Sequence, residues 1–144
     1  MNIQIINGPN LNLLGKREPG IYGQSAFEPF LEALRKQYPD VTIEYYQSNV
    51  EGFLIDYIQK VGFTTDGIIL NAGAYTHTSV AILDALKAVK IPVMEVHLTE
   101  PKSREDFRRR SFVELVAEKT FSGRGFDSYA DAIRYAVGKY GKRA

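Results

Sequence analysis

Residues 66–98 read DGIILNAGAYTHTSVAILDALKAVKIPVMEVHL. DGIIL is a short apolar run that predicts a buried strand, and IPVMEVHL predicts another strand with its proline at the opening position. The segment between them, from about Ser79 to Lys90, predicts a helix. A helix that joins two strands in this way is typical of a crossover connection, which indicates a parallel sheet.

The same alternation continues on both sides of this stretch. Further strands are predicted for NIQIIN (2–7), VTIEYYQ (41–47) and ELVAEKTF (114–121), and further helices for residues 25–38, for the segment around 54–61 and for 127–140. SREDFRRRS (103–111) predicts a short charged helix. Five alternating strands predict an α/β fold of the flavodoxin-like type, a doubly wound sheet of five parallel strands with helices on both faces. At 144 residues we expect a single domain, 1–144.

Composition excludes several classes of function. No stretch approaches the roughly 20 apolar residues of a membrane span, so we expect a soluble protein without a membrane partner. A net charge of +1 gives no general attraction to nucleic acid, and the basic cluster REDFRRR (104–110) is equally typical of a solvated helix face. The absence of cysteine excludes thiol nucleophiles and thiolate metal sites. The start of the chain lacks a signal-peptide pattern, which predicts a cytoplasmic location.

Ligands of open parallel sheets bind beyond the carboxyl ends of the strands. This rule selects four segments: NGPN (7–10), SNVEG (48–52), NAGAYTHTS (71–79) and HLTEPKSR (97–104). They contain both histidines of the chain, His77 and His97. Glu95 precedes His97 by two residues, so both side chains lie on one face of the strand, where a carboxylate would fix the imidazole tautomer. Asn71 would offer its amide to a ligand.

Three other interpretations of these polar residues remain open. Glu95 and His97 could form a buried ion pair for stability alone, although such pairs stabilise poorly. His77, His97 and Glu95 could bind a metal, although the set lacks a further histidine or cysteine. Ser79 could be a nucleophile, but without a Gly-x-Ser-x-Gly turn it is better explained as a helix cap.

The glycine-rich segment GPNLNLLGKREPGIYG (8–23) is not a phosphate loop, because Lys16 is followed by Arg17 rather than by a hydroxyl residue. Its glycines predict a lid that closes over the site. Arg17 precedes Tyr22 by five residues. A phenol has a reference pKa of about 10, and a close guanidinium lowers the pKa of an acidic group by about 1–3 units. The lid could therefore supply a tyrosinate base, or Tyr22 could simply pack.

Three blocks of sequence resemble the signature of the type II 3-dehydroquinate dehydratases, in order and with similar spacing. They are NGPNLNLLGKREPGIYG (7–23), NAGAYTHTSVAILDAL (71–86) and VMEVHL (93–98) followed by REDFRRRS (104–111). The resemblance extends over residues 2–111 and implies dehydration of 3-dehydroquinate to 3-dehydroshikimate through an enolate, with no cofactor and no metal. This reaction occurs both in aromatic biosynthesis and in quinate breakdown.

The resemblance also implies a role for each matching residue. The implied catalytic residues are the base Tyr22, its lid partner Arg17, Asn10 holding a water against the enolate, and the acid His97 oriented by Glu95. The implied substrate-binding groups are Asn71 and His77 for hydroxyls, the backbone amides of Leu98 and Thr99 for the carboxylate, and Arg108 for ring hydroxyls. Asp84 would reach a neighbouring subunit's site within a homo-oligomer, a dodecamer built from trimers.

The chain departs from the family pattern at Glu100, Pro101 and Val50. A carboxylate at position 100 should weaken the binding of an anionic substrate unless it points away, whereas position 50 is interpreted as structural. Two further functions therefore stay open beside the dehydratase. One is a non-catalytic flavodoxin-like module that binds a nucleotide or flavin, and the other is a homologue that has lost turnover through Glu100 or Pro101.

Overall fold

One parallel sheet organises the chain. The computed structural model describes residues 1–14 and 27–141. Within them, five strands pair in the order β2-β1-β3-β4-β5. The strands are β1 (Asn2–Asn7), β2 (Thr42–Gln47), β3 (Gly67–Asn71), β4 (Val93–His97) and β5 (Lys119–Ser122). All four pairings are parallel, and the predicted flavodoxin-like α/β sheet is confirmed.

Helices cover both faces of this sheet, as predicted. They are α1 (Phe27–Gln37), α2 (Glu51–Val61), α3 (Val80–Val89) and α4 (Asp127–Tyr140). Because successive residues of a strand point to opposite faces, Ile5 packs in a core cluster with side chains of α1 and α4, whereas Ile6 packs in a second cluster with side chains of α2 and α3. Among the described residues, no helix combines the length and the apolar character that crossing a membrane requires.

The structure corrects two predicted elements in the second half of the chain. The strand predicted for residues 114–121 begins only at Lys119, because Val113 anchors a 3-10 turn, Val113–Leu115, by accepting hydrogen bonds from the next turn of backbone. The charged helix predicted for residues 103–111 is reduced to a single 3-10 turn, Asp106–Arg108. Phe107 is 68% exposed, so this segment buries no apolar face that could support a longer helix.

The strand register brings the predicted polar residues to one edge of the sheet. Asn7 at the end of β1 lies beside Asn71 at the end of β3. His97 at the end of β4 lies beside Ser122 at the end of β5. Ser79 begins α3 by accepting a hydrogen bond from the Ile82 backbone N–H at 2.9 Å, which confirms its prediction as a helix cap. The carboxyl edge of the sheet is therefore where ligand chemistry is possible.

Candidate active site

A cleft opens at the carboxyl ends of β1, β3 and β4. Seven of the residues selected from the sequence line it: Asn10, Asn71, His77, His97, Leu98, Thr99 and Arg108. Glu95 lies behind His97, and Asp84 is exposed on α3 outside the cleft lining. Arg17 and Tyr22 lie outside the described residues.

The loops after β1 and β3 form one wall of the cleft by close backbone contact. The Gly8 N–H donates to the Asn71 carbonyl at 2.7 Å. A Cβ atom on Gly8 would lie 2.4 Å from the Ala72 carbonyl oxygen, so only glycine fits there. Asn10 adopts a left-handed backbone conformation with φ 68°, and its N–H donates to Asn49 Oδ1 at 2.9 Å. These contacts hold Asn10 at the edge of the cleft.

The Asn71 amide is fixed from behind by a buried tyrosine. Asn71 Nδ2 donates to the Tyr129 hydroxyl at 3.0 Å, and Asn71 Oδ1 accepts from the Gly73 N–H at 3.1 Å. The Tyr129 hydroxyl donates in turn to Asn7 Oδ1 at 2.7 Å. Burial raises the pKa of Tyr129, so its phenol stays neutral and keeps the proton that it donates. One N–H of the Asn71 amide is left for a ligand.

Glu95 and His97 form a buried pair, as their spacing predicts. His97 Nε2 lies 2.7 Å from Glu95 Oε2, and the two residues are 7% and 1% exposed. Since an ionised carboxylate only accepts hydrogen bonds, Nε2 carries the proton and donates it to Glu95. Glu95 therefore fixes both the tautomer and the orientation of the ring, and Nδ1 is the nitrogen that remains for other chemistry.

Hydroxyl groups surround the remainder of the Glu95 carboxylate. Ser111 Oγ and Thr76 Oγ1 lie 2.5 and 3.0 Å from Oε2, and Thr120 Oγ1 lies 2.8 Å from Oε1. Ser111 and Thr76 also lie 2.6 Å apart. Because each hydroxyl has a single proton, Ser111 donates to Glu95 while Thr76 donates either to Glu95 or to Ser111.

These donors keep Glu95 ionised. Burial alone would raise the pKa of its carboxyl, but the hydrogen bond and charge of His97 and the hydroxyls of Ser111 and Thr120 outweigh burial. Together they lower the pKa of Glu95 from 4.5 to about 2. Near neutral pH the Glu95 carboxylate is therefore ionised, and it places a fixed negative charge behind the imidazole of His97.

His77 and Arg108 line the cleft, and one nitrogen of each side chain already makes a hydrogen bond within the protein. His77 Nδ1 lies 2.6 Å from the Arg110 carbonyl oxygen, which can only accept, so Nδ1 carries the proton and Nε2 is the other ring nitrogen. Arg108 Nε donates to Glu105 Oε2 at 2.5 Å. This hydrogen bond lowers the pKa of Glu105, and within residues 1–14 and 27–141 the two terminal nitrogens of Arg108 are left for a ligand.

Two residues of the backbone segment after β4, Leu98 and Thr99, line the cleft. Within residues 1–14 and 27–141, neither the Leu98 N–H nor the Thr99 N–H donates to a backbone carbonyl. Adjacent amides of this kind suit an anionic oxygen. The side chain of Glu100 is not part of the cleft lining and turns toward β5, where its carboxylate accepts hydrogen bonds from the Ser122 hydroxyl and from the Lys102 N–H. The extra carboxylate therefore points away from the cleft.

The metal interpretation of the two histidines is not supported. No group of three or more histidine, acidic or cysteine side chains with a geometry for metal binding occurs in the described part of the chain. The Glu95 oxygens are instead occupied by His97 and by hydroxyl donors.

Sequence patterns overlooked the residues that support the site from behind. Thr76 and Ser111 lie inside the quoted blocks but are common residue types with no spacing signal of their own. Thr120 pairs directly with Glu95, but this register is a property of the folded sheet and not of the sequence pattern. Tyr129 lies in the first turns of α4, where its apolar spacing predicts only a core residue.

Comparison with known proteins gives a single result. The family model for class II dehydroquinases matches residues 1–137. A 3-dehydroquinate dehydratase of Acaryochloris marina is 50% identical over 138 residues, which cover 94% of this chain and 93% of that protein. One of Gloeothece citriformis is 52% identical over 130 residues, which cover 89% and 86% of the two chains. A crystal structure of type II dehydroquinase from Butyrivibrio crossotus superposes with a TM-score of 0.89 at 44% identity, covering 94% of this chain and 97% of the other. With this similarity over nearly its whole length, the chain belongs to the class II dehydroquinase family.

Proposed function

We propose that this protein removes water from 3-dehydroquinate to give 3-dehydroshikimate. The observation that carries the proposal is the imidazole of His97 at the cleft, oriented by an ionised carboxylate through a 2.7 Å contact. Such an imidazole is suited to general acid catalysis. The family relationship supplies the substrate, and the cleft at the carboxyl ends of the strands supplies the place for it.

The proposed reaction is an anti elimination in two proton-transfer steps. Tyr22, ionised with the help of Arg17, takes a proton from the carbon beside the ketone, and the electron pair of that C–H bond forms the enolate. Asn10 holds a water against the enolate oxygen. The enolate then re-forms the ketone and expels the hydroxyl group, which leaves as water with the Nδ1 proton of the protonated His97 ring, while Nε2 keeps its proton and its hydrogen bond to Glu95. No cofactor and no metal is needed for this balance.

Binding and catalysis are assigned to different groups of the cleft. The Leu98 and Thr99 amides bind the substrate carboxylate, since both residues line the cleft and neither N–H has a backbone acceptor among the described residues. Asn71 and His77 bind substrate hydroxyls through the polar atoms left after their internal hydrogen bonds. Arg108 binds ring hydroxyls through its terminal nitrogens. Glu95 orients His97 without touching the substrate.

Activity is tested directly by the ultraviolet absorbance of the enone product. Wild-type protein is expected to generate this absorbance from 3-dehydroquinate. Tyr22→Phe is expected to lower kcat by about 10²–10⁴-fold, since it removes a positioned acid–base group. Tyr38→Phe, the same change just beyond α1 and outside the cleft lining, is expected to leave kcat unchanged. A wild-type protein without turnover at saturating substrate would contradict the proposed function.

Assembly and location are proposals as well. By analogy with its family, the chain is proposed to form a dodecamer of trimers in which the exposed Asp84 reaches a neighbouring subunit's site. Light scattering of the purified protein gives the subunit number directly. A cytoplasmic location, without a membrane or nucleic-acid partner, remains a prediction from the sequence.

A further inference from the structure

We propose that two hydroxyl groups of the edge strand β5, those of Thr120 and Ser122, are positioning residues for two different parts of the site. Thr120 holds the carboxylate that orients His97, and Ser122 holds the backbone segment that presents the Leu98 and Thr99 amides. The catalytic consequences rest on the proposed function, whereas the effect on the His97 ring does not.

The register of the sheet places both hydroxyls. Glu95 pairs with Thr120, and His97 pairs with Ser122. Because side chains two residues apart on a strand share a face, Thr120 and Ser122 point to the same side of β5. Both of them line a second cavity that also reaches Glu95, His97 and Glu100. The edge strand β5 therefore lies behind two parts of the candidate active site, the Glu95–His97 pair and the segment after β4.

Thr120 has a distinct role among the donors to Glu95. His97, Ser111 and Thr76 all approach Oε2, whereas Thr120 is the one described residue that donates to Oε1, at 2.8 Å. The terminal torsion of a glutamate is broad and does not by itself fix the carboxylate plane. A donor on the second oxygen is therefore what prevents the carboxylate from rotating away from the imidazole.

Ser122 acts on the segment after β4. Its hydroxyl donates to the Glu100 carboxylate, which also accepts from the Lys102 N–H at 3.2 Å. The Leu98 carbonyl accepts from the Gly125 N–H at 2.9 Å. These contacts tie both ends of the 98–100 segment to β5 and the loop after it. Glu100, one of the three residues that depart from the family pattern, therefore has a positioning function here.

The first experiment compares Thr120→Val, Thr120→Ser and Thr65→Val. Valine keeps the shape of threonine and is favoured in strands, so the exposed edge position should tolerate it. Thr65→Val is the matched control. The Thr65 hydroxyl is also hydrogen-bonded, but its partner Asn2 lies at the start of β1, at the end of the strands away from the cleft. Thr120→Val is expected to lower kcat about tenfold with little change in KM, as a misplaced catalytic group does. Thr120→Ser should restore most of kcat, and Thr65→Val should leave kcat unchanged.

The second readout is the nuclear magnetic resonance spectrum of isotope-labelled histidine, recorded without substrate. The chain has two histidines, so a His97→Asn variant assigns the His97 signals. In the wild type we expect a slowly exchanging Nε2 proton on His97. Thr120→Val should accelerate its exchange, and Thr120→Ser and Thr65→Val should not. Because no turnover is involved, this result is independent of the proposed function.

The third experiment tests Ser122→Ala. Loss of its hydrogen bond to Glu100 is expected to raise KM about three- to tenfold while kcat stays near the wild-type value. The proposal is overturned if Thr120→Val leaves kcat and the His97 signal as they are in Thr65→Val. It is also overturned if Ser122→Ala lowers kcat and leaves KM unchanged, because the two hydroxyls would then not act on separate parts of the site.

Discussion

At the scale of the residue, Glu95 shows how a buried charge can be retained. Removing a carboxylate from water is costly unless hydrogen-bond donors replace the water. Here the imidazole of His97 and hydroxyls from three other segments of the chain do so. The result is an ionised group at the one position from which it can orient the candidate acid.

This environment makes the contribution of Glu95 to stability dependent on pH. Its pKa is about 2 in the folded protein against an ordinary 4.5, so the folded state favours the ionised form. The stabilisation is complete above pH 4.5 and is lost as the pH falls from 4.5 toward 2. Glu95→Gln cannot titrate. The stability difference between the wild type and this variant should therefore shrink by about 1–3 kcal/mol across that window.

Urea unfolding at a series of pH values measures this difference. Glu44→Gln is a suitable control, because Glu44 also accepts side-chain hydrogen bonds but lies on β2, away from the cleft. The difference in unfolding free energy between the wild type and Glu95→Gln could also stay the same from neutral pH to about pH 2.5. That result would contradict the assignment of Glu95 as an ionised, hydrogen-bonded carboxylate.

Tyr129 gives a second prediction for a single residue. Tyr129→Phe removes the hydroxyl that bridges Asn7 and Asn71, which leaves polar atoms of two buried amides without that partner. The expected loss of unfolding free energy is about 1–3 kcal/mol. KM should also rise, because the Asn71 amide loses its orientation. Tyr38→Phe provides the matched control, and an equal KM in both variants would show that Tyr129 does not act on Asn71.

At the scale of the element, the loop that carries Asn10 and the loop that follows Asn71 are held together at Gly8. Gly8 brings the β1 loop so close to the β3 loop that no side chain fits between them. The contact is backbone against backbone, so neither partner can rotate away as a side chain could. The position of this cleft wall therefore depends on the absence of a side chain at Gly8.

Gly8→Ala should consequently destabilise the fold by about 1–3 kcal/mol and raise KM, because the inserted methyl group overpacks the junction of the two loops. Gly138→Ala is the matched control. Gly138 lies within α4 with open space around it, so the same change should stabilise the protein by about 0.5–1 kcal/mol. Thermal unfolding and steady-state kinetics measure both effects. A Gly8→Ala variant as stable as the wild type would contradict the close contact.

The sequence predicted elements well where a periodic pattern covered them. β1 agrees with its prediction residue for residue, and α3 with its Ser79 cap follows the expected span closely. Prediction failed between β4 and β5, where short 3-10 turns replace a helix and the first half of a strand. Such turns are set by single buried side chains such as Val113, which leave no repeat in the sequence.

At the scale of the whole molecule, the parallel direction of the strands explains why the residues of the candidate cleft could be grouped in advance. Polar residues that follow parallel strands must meet at one edge of the sheet, and both histidines satisfied that condition. The supporting residues could not be found in this way. Thr120 and Tyr129 come from the end of the chain and meet the site only through the register of β5 and the packing of α4. Pairings of that kind are properties of the tertiary fold.

The proposed sharing of the site between subunits predicts complementation. Asp84→Ala and His97→Ala are each expected to be nearly inactive, because the first lacks the neighbour's carboxylate and the second lacks the acid. Mixing the two after dissociation should restore activity at about one quarter of the sites if each site joins two chains in a closed oligomer. Absorbance assays before and after mixing measure this recovery. A mixture that stays inactive, with light scattering showing reassembled oligomers, would contradict a role for Asp84 across subunits.

The bridge from Tyr129 to Asn7 spans 122 positions of the chain, nearly its full length. A ribosome releases Asn7 and Asn71 long before it adds Tyr129. Until α4 has been synthesised, the amides of Asn7 and Asn71 lack the phenol that aligns them. The group that fixes the proposed substrate-binding amide of Asn71 is therefore added late in synthesis, in the last steps of translation.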